Sequence, residues 1–186
     1  MDLGAMCYRR YLDGDDQAFD DLIRLYHDNL IFFIQRTVRD PILAEDLAED
    51  CFVELIVHPH RYNFRTPLKT YLYAIAHHKS VDAVRKKVRH ATEPLDDCTD
   101  LPPDPSLSPE EAVLRTERHR AVHRALEQIH ADYREVLHLL YFDEVSYEDA
   151  ARIMRKTKKQ IENLAYRGRK ALRAELEKGG FYFEGS

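Results

Sequence analysis

Cysteine, glycine and long apolar runs are scarce in this chain, and each shortage removes a class of protein. The three cysteines, Cys7, Cys51 and Cys98, stand far apart, are odd in number and form no CxxC pair. Neither a disulfide framework nor a zinc site follows from such spacing, and a reducing cytoplasm is the setting it fits. Only 6 glycines occur among 186 residues, with no Gly-rich phosphate loop and no GxSxG elbow. The longest apolar run, near Leu30 to Ile34, is far too short to cross a bilayer, and the N-terminus carries no secretory pattern. The expectation is a cytoplasmic protein with no membrane insertion, no metal or other cofactor, and no enzymatic activity of its own.

What the chain does have is charge, and the charge is segregated. Hydrophobic residues make up 44% and charged residues 33%, which is enough for real cores and, with so little glycine, leans toward helix. The net charge of −5 argues, taken alone, against a nucleic-acid partner, but the average hides blocks of opposite sign. From Asp13 to Glu54 twelve acids face three arginines, Arg24, Arg36 and Arg39. From Lys79 to Arg89 the balance reverses, with Lys79, Arg85, Lys86, Lys87 and Arg89 against Asp82 alone. Residues 91–111 hold seven acids and no Lys or Arg. Separation of this kind predicts two partners of opposite character, or one partner made of protein and DNA together.

Periodicity places these blocks on helices. Residues 2–12 read as a short helix ending at Asp13-Gly14-Asp15, and Asp15 or Asp16 suits the cap of a long helix from Gln17 to about Val38. Its apolar positions Phe19, Leu22, Ile23, Tyr26, Leu30, Phe33 and Ile34 follow the 3.6-residue period. Pro41 fits the first turn of the next helix, 41–57. There Leu43, Leu47, Cys51 (or Phe52) and Leu55 are expected to form the core stripe, with Glu45, Asp46, Glu49, Asp50 and Glu54 as an acidic outer face. After the loop 58–67 a helix resumes near Pro67, with Leu68, Leu72, Ile75, Ala76, the Lys79 stem, Ala83 and Val84 turned inward. Phe64, Tyr71 and Tyr73 interleave with Arg61, Arg65, Lys69, His77, His78, Arg85 and Lys86. Rings beside cations suit an unpaired nucleic-acid strand, although Tyr71 and Tyr73 also read as ordinary core edges.

Five of the eight prolines fall within 89–110, which predicts an extended acidic tether. Ser108-Pro109-Glu110-Glu111 is a helix start, and helices follow at about 109–129, 131–142, 146–154 and 158–178. The expected fold class is all-α. Two small helical domains, 1–90 and 109–180, are joined by a flexible acidic Pro-rich linker, 91–108, and followed by a tail, 181–186.

The stretch from Ser146 to Arg173 carries the clearest chemistry. SYEDAARIM and KKQIENLAYRGRKALR, separated by RKT, have apolar positions at helical spacing: Tyr147, Ala150, Ala151, Ile153 and Met154, then Ile161, Leu164, Ala165, Gly168 and Leu172. Ala150 and Gly168 are small where two crossing helices approach closely. Lys158, Lys159, Gln160, Glu162, Asn163, Tyr166, Arg167 and Lys170 are left pointing outward, and from Arg152 to Arg173 nine Lys or Arg accompany one acid, Glu162. Gln, Asn and Arg, which read base edges, share that face with phosphate-binding lysines. This is the layout of a helix-turn-helix whose second helix enters a DNA major groove; the plainer reading is a solvated amphipathic helix. Two other patterns lead nowhere. HHKSVD, from His77 to Asp82, fits an acyltransferase pattern, yet a short basic helix supplies no substrate tunnel. His58, His60, His77 and His78 have neither a Cys pair nor an HExxH helix to make them a metal site.

In the first half AFDDLIRLYHDNL, AEDLAEDCFVELI and TYLYAIAHHKSVDAVRKK occur in that order, and in the second YREVLHLLYFDEVSYEDAARIM precedes QIENLAYRGRKALRAEL. In order and spacing these strings resemble regions 2 and 4 of an extracytoplasmic-function (group IV) RNA polymerase sigma factor of the sigma-70 family, over about 10–90 and 110–176. The resemblance implies a promoter-specificity subunit. Asp46, Leu47, Glu49 and Asp50 match the segment that docks on the β′ clamp helices of core RNA polymerase. Arg61, Phe64, Arg65, Tyr71, His78, Asp82, Arg85 and Lys86 fall in the loop and helix that melt the −10 element of promoter DNA. Lys158, Lys159, Gln160, Glu162, Asn163, Tyr166, Arg167 and Lys170 fall on the helix that reads the −35 element, while the rest of that domain sits on the β flap. The acidic tether would thread the RNA exit channel, and an anti-sigma factor is a common partner. Three positions depart from the family pattern: no Trp stands near Tyr71, His78 replaces a common Asn, and Arg155 occupies a turn position that often holds Gly. A different turn geometry is therefore expected at Arg155. The competing reading is a free-standing helix-turn-helix regulator that binds duplex DNA without polymerase.

Overall fold

The computed structural model describes residues 2–90 and 120–181. These fall into two compact units, each described by itself, and every regular element among the described residues is helical. The predicted tether with its prolines, the helix start at Ser108, Cys98 and the tail from Tyr182 lie outside the described residues.

In the N-terminal unit α1 (Leu3–Leu12), α2 (Gln17–Val38), α3 (Pro41–Val57), a 3-10 turn (Pro59–Arg61) and α4 (Leu68–His90) follow one another. The central helix is α2, packed against the other three. Phe19, Leu22, Tyr26, Leu30, Phe33 and Ile34 are buried along it, the face its period picks out, with Ile23 half-buried at the edge. Neither expected cap forms at its start. Asp16 has helical backbone angles and makes no side-chain cap bond, while Asp15 Oδ2 accepts from Arg10 Nε at 3.0 Å. The first N–H groups turn instead to main-chain carbonyls, Ala18 to Asp15 at 3.1 Å and Phe19 to Asp16 at 3.0 Å. Asp40 does cap α3, accepting from the Leu43 N–H at 3.2 Å, and Pro41 opens the helix where its missing N–H costs nothing.

The core stripe of α3 is rotated by one residue from the expected one. Ala44, Ala48, Cys51, Phe52 and Leu55 are buried, whereas Leu43 and Leu47 are half-buried at its margin. Alanines at 44 and 48 let the α3 backbone approach its neighbours, where leucines would hold it away. On α4 the buried side chains are Leu68, Thr70, Leu72, Tyr73, Ala76 and Ser80; Ile75, Lys79, Ala83 and Val84 are only half-buried. Tyr73 is fully enclosed, its ring 4.7 Å from that of Phe33, and so is not free to stack on a base.

In the C-terminal unit a helix described over 120–128 (α5) precedes α6 (Ala131–Tyr141), α7 (Tyr147–Ile153) and α8 (Lys158–Lys178). Ala121 and Ala125 of α5 pack against Leu176, Leu172 and Phe181. The close crossing that Gly168 permits is with α6. A Cβ at Gly168 would lie 3.3 Å from Leu137 Cγ and 3.3 Å from Tyr133 Cβ. A capping box opens α8: Thr157 Oγ1 accepts the Gln160 N–H at 3.2 Å, and Gln160 Oε1 accepts the Thr157 N–H at 2.7 Å. The turn before it corrects one expectation. Arg155 has φ 51°, the left-handed conformation glycine favours, so a glycine-type turn forms here without a glycine. The Lys156 N–H to Ala151 O (3.0 Å) and Arg155 N–H to Arg152 O (3.4 Å) bonds form a Schellman closure that holds it there.

Candidate nucleic-acid interface

The α8 face is the simplest part of the site. Thr157 starts the helix, and burial of Ile161, Ala165 and Gly168 fixes which side faces in. All eight residues expected to point outward (Lys158, Lys159, Gln160, Glu162, Asn163, Tyr166, Arg167 and Lys170) are exposed, with Tyr166 64% accessible. Two are partly occupied by neighbours. Lys158 Nζ pairs with Glu148, and that hydrogen bond raises its ammonium above the ordinary value. The Gln160 oxygen is taken by the Thr157 N–H, which leaves its NH₂ group as donor toward a base edge. Sequence reasoning missed Arg169, an exposed cation whose Nη1 donates to Tyr141 Oη at 2.9 Å. Its partner sits on another helix, so no local pattern announces it.

The second basic region is built by the loop 58–67 and α4. Phe64 has φ 60° and is half-buried. Its ring centroid lies 4.7 Å from that of Tyr62 and 6.1 Å from that of Tyr8, with the Arg9 guanidinium carbon 4.6 Å away. Tyr62 is buried, donates from Oη to Thr66 O at 2.6 Å and lies 5.1 Å from the Tyr71 ring. Burial raises the Tyr71 phenol above its ordinary value. Arg61, Arg65, Asp82, Arg85 and Lys86 are exposed, while Tyr71 and His78 are half-buried. Arg61 pairs with Glu54, and Arg85 sits 3.5 Å from Asp82 one turn away. Tyr8 and Arg9 were not foreseen as members of this cluster, because they come from a helix far upstream.

The acidic face of α3 presents Glu45, Asp46, Glu49 and Asp50 to solvent, with Leu47 half-buried beside them. Asp50 is not free, since its Oδ2 accepts from Lys79 Nζ of α4 at 3.0 Å. The exposed surface of α3 continues through Val53, Ile56 and Val57, an apolar extension visible only once the burial of the other side is known. Cys51 lies beneath, its thiol donating to Leu47 O at 3.1 Å and pushed up to about 12 by burial. Among the described residues no three His, Cys, Asp or Glu side chains form a group that would hold a metal ion. The four histidines weighed as ligands are therefore not brought together. No helix among these residues is long and apolar enough to cross a membrane.

Two helical units, one with an acidic helix beside a basic and aromatic one, the other a helix-turn-helix, have the layout of a modular DNA-binding protein. Sigma-70 region 2 matches residues 22–90 and Sigma-70, region 4 matches residues 119–172. The chain belongs to the sigma-70 family, among its extracytoplasmic-function sigma factors, and acts in promoter-directed transcription. RNA polymerase sigma factor CarQ of Myxococcus xanthus is 30% identical over 167 residues, spanning 90% of this chain and 94% of that protein. ECF RNA polymerase sigma factor SigW of Bacillus subtilis (strain 168) is 29% identical over 171 residues, spanning 88% and 91%. Two solved structures share the fold. CnrH, in complex with the cytosolic domain of CnrY, superposes with a TM-score of 0.68 at 20% identity over 95% of this chain and 99% of that one. The sigma factor RpoE, in complex with the anti-sigma factor NepR from Bartonella quintana, gives 0.66 at 23% over 86% and 96%. Relatives that match across both units disfavour a free-standing regulator.

Proposed function

We propose that the chain is a non-enzymatic promoter-specificity subunit working in the cytoplasm, with polymerase docking and −10 melting in 1–90 and −35 reading in 109–180, joined by 91–108. Asp46, Leu47 and Glu49 dock on the β′ clamp helices, with Asp50 shared between that partner and Lys79. Arg61, Phe64, Arg65, Tyr71, His78, Asp82, Arg85 and Lys86 hold the opened −10 strand, where ring and phosphate contacts offset an unstacking cost of a few kcal/mol. Lys158, Lys159, Gln160, Glu162, Asn163, Tyr166, Arg167 and Lys170 read the −35 duplex while the rest of that unit rests on the β flap. An anti-sigma factor restrains the protein, a reading supported by the complex of the structural neighbour RpoE with the anti-sigma factor NepR. The observation that carries the reading is the coexistence of one exposed acidic face on α3 with two exposed basic faces on α4 and α8.

The test is run-off transcription with core polymerase over a promoter library, paired with core pull-down. The double variant Asp46→Arg with Glu49→Arg is expected to abolish core binding while thermal midpoint and helical content stay unchanged. It is preferred to a change at Asp50, which would also break the Lys79 pair. Wild-type retention of the double variant on core would remove the docking assignment. Duplex binding as tight without polymerase as with it would favour a free-standing regulator.

A further inference from the structure

We propose that α1 positions the −10 loop, acting through Arg9 and Tyr8 on Phe64; the inference rests on reading 58–67 as the loop that receives opened promoter bases. The first helix, Leu3–Leu12, lies wholly before the segment that matches Sigma-70 region 2. Yet it holds the loop at both ends and in the middle. Before the loop, Tyr8 Oη donates to the Leu55 carbonyl at 2.8 Å. After it, the Leu68 N–H donates to Asp2 Oδ2 at 2.9 Å. Between them the Tyr8 ring faces Tyr62 at 5.9 Å and Phe64 at 6.1 Å, and the Arg9 guanidinium covers Phe64 at 4.6 Å.

Phe64 has φ 60°, a backbone conformation that a bulky residue keeps only where its surroundings impose it. Those surroundings are Tyr8, Arg9 and Tyr62. A ring held in one place receives an unstacked base without first losing the entropy of a mobile loop. Arg9 is exposed, so removing it empties no core, and a cation over a ring face at an exposed site has a modest but directional effect. Arg9 and Tyr8 are therefore positioning residues that need not touch DNA.

Run-off transcription with core polymerase tests this on two promoters that differ only in the −10 element. One is the promoter most active with the wild-type chain in a library, and the other carries that element scrambled. The readout is the ratio of the two rates. Arg9→Ala is expected to lower the ratio about two- to five-fold, and Arg9→Lys, which keeps a cation above the ring, to retain most of it. Thermal midpoint and core binding remain at wild-type values in both. A purely structural role would lower both rates together. An unchanged ratio for Arg9→Ala beside a collapsed ratio for Phe64→Ala overturns the positioning role. An unchanged ratio for Phe64→Ala itself removes the −10 assignment of the loop, and the inference with it.

Discussion

At the scale of the residue, backbone strain and burial make two measurable claims. Arg155 holds a left-handed conformation at φ 51°, which costs a residue with a Cβ about 1–2 kcal/mol. Glycine removes that cost but loses more backbone entropy on folding, about 0.5–1 kcal/mol. Arg155→Gly is thus expected to stabilise the turn between α7 and α8, and the protein with it, by roughly 0.5–1 kcal/mol in a denaturant titration. A loss instead would show that the Arg155 side chain makes contacts worth more than the strain. The second claim concerns pH. Tyr8, Tyr26 and Tyr62 are each pushed up to about 12, chiefly by burial. Below the ordinary phenol value of 10.0 both folded and unfolded chains keep these groups protonated, so stability does not depend on them. Between that value and about 12 the unfolded chain sheds protons that the folded chain retains, and stability falls as pH rises. Thermal midpoints across an alkaline series should begin to fall near 9.0, the ordinary value of the Cys51 thiol, and drop more steeply between 10.0 and about 12, where the tyrosines join it.

Among the elements, α1 depends on its first residues more than its length suggests. One carboxylate serves two helices: Asp2 Oδ1 accepts the Ala5 N–H at 2.7 Å, and Oδ2 accepts the Leu68 N–H at 2.9 Å. Each N-terminal cap contributes about 1 kcal/mol, so Asp2→Ala should destabilise the unit by about 2 kcal/mol. Asp2→Asn, with a single acceptor oxygen, should lose about half as much. Equal stability of Asp2→Ala and wild type in urea would mean that water satisfies both N–H groups as well. Gly4 sets the α1–α2 crossing, because a Cβ there would fall 2.3 Å from Tyr26 Oη. That close approach brings Tyr8 down onto Leu55 and the loop beyond it.

For the molecule as a whole, the proposed reading makes promoter DNA compete with carboxylates for some of the cations assigned to it. Glu54 occupies Arg61, Asp50 occupies Lys79 and Glu148 occupies Lys158, whereas Arg167 stands exposed on α8. Arg167→Ala should weaken −35 recognition by about 1–3 kcal/mol and relax preference at one base pair, if it reads a guanine edge. Transcription from a set of −35 variants checks this, and a uniform loss across the set would assign Arg167 to a phosphate.

Local rules carried the reading far. Helical period, proline at a first turn and the RKT break before α8 depend on residues within a turn or two of each other, so the all-α class, the helix-turn-helix and its outward face were legible in the chain itself. Tertiary contact decided what distant residues compete for. Asp15 pairs with Arg10 and does not cap α2; alanines turn α3 by one residue; Tyr73 goes into the core; Gly168 closes on α6; Tyr8 and Arg9 reach the loop at Phe64. A sequence pattern tells which side chains share a helix face. It cannot tell which partner another helix brings to that face, since hydrogen bonds and packing act over a few ångströms in space whatever the separation along the chain.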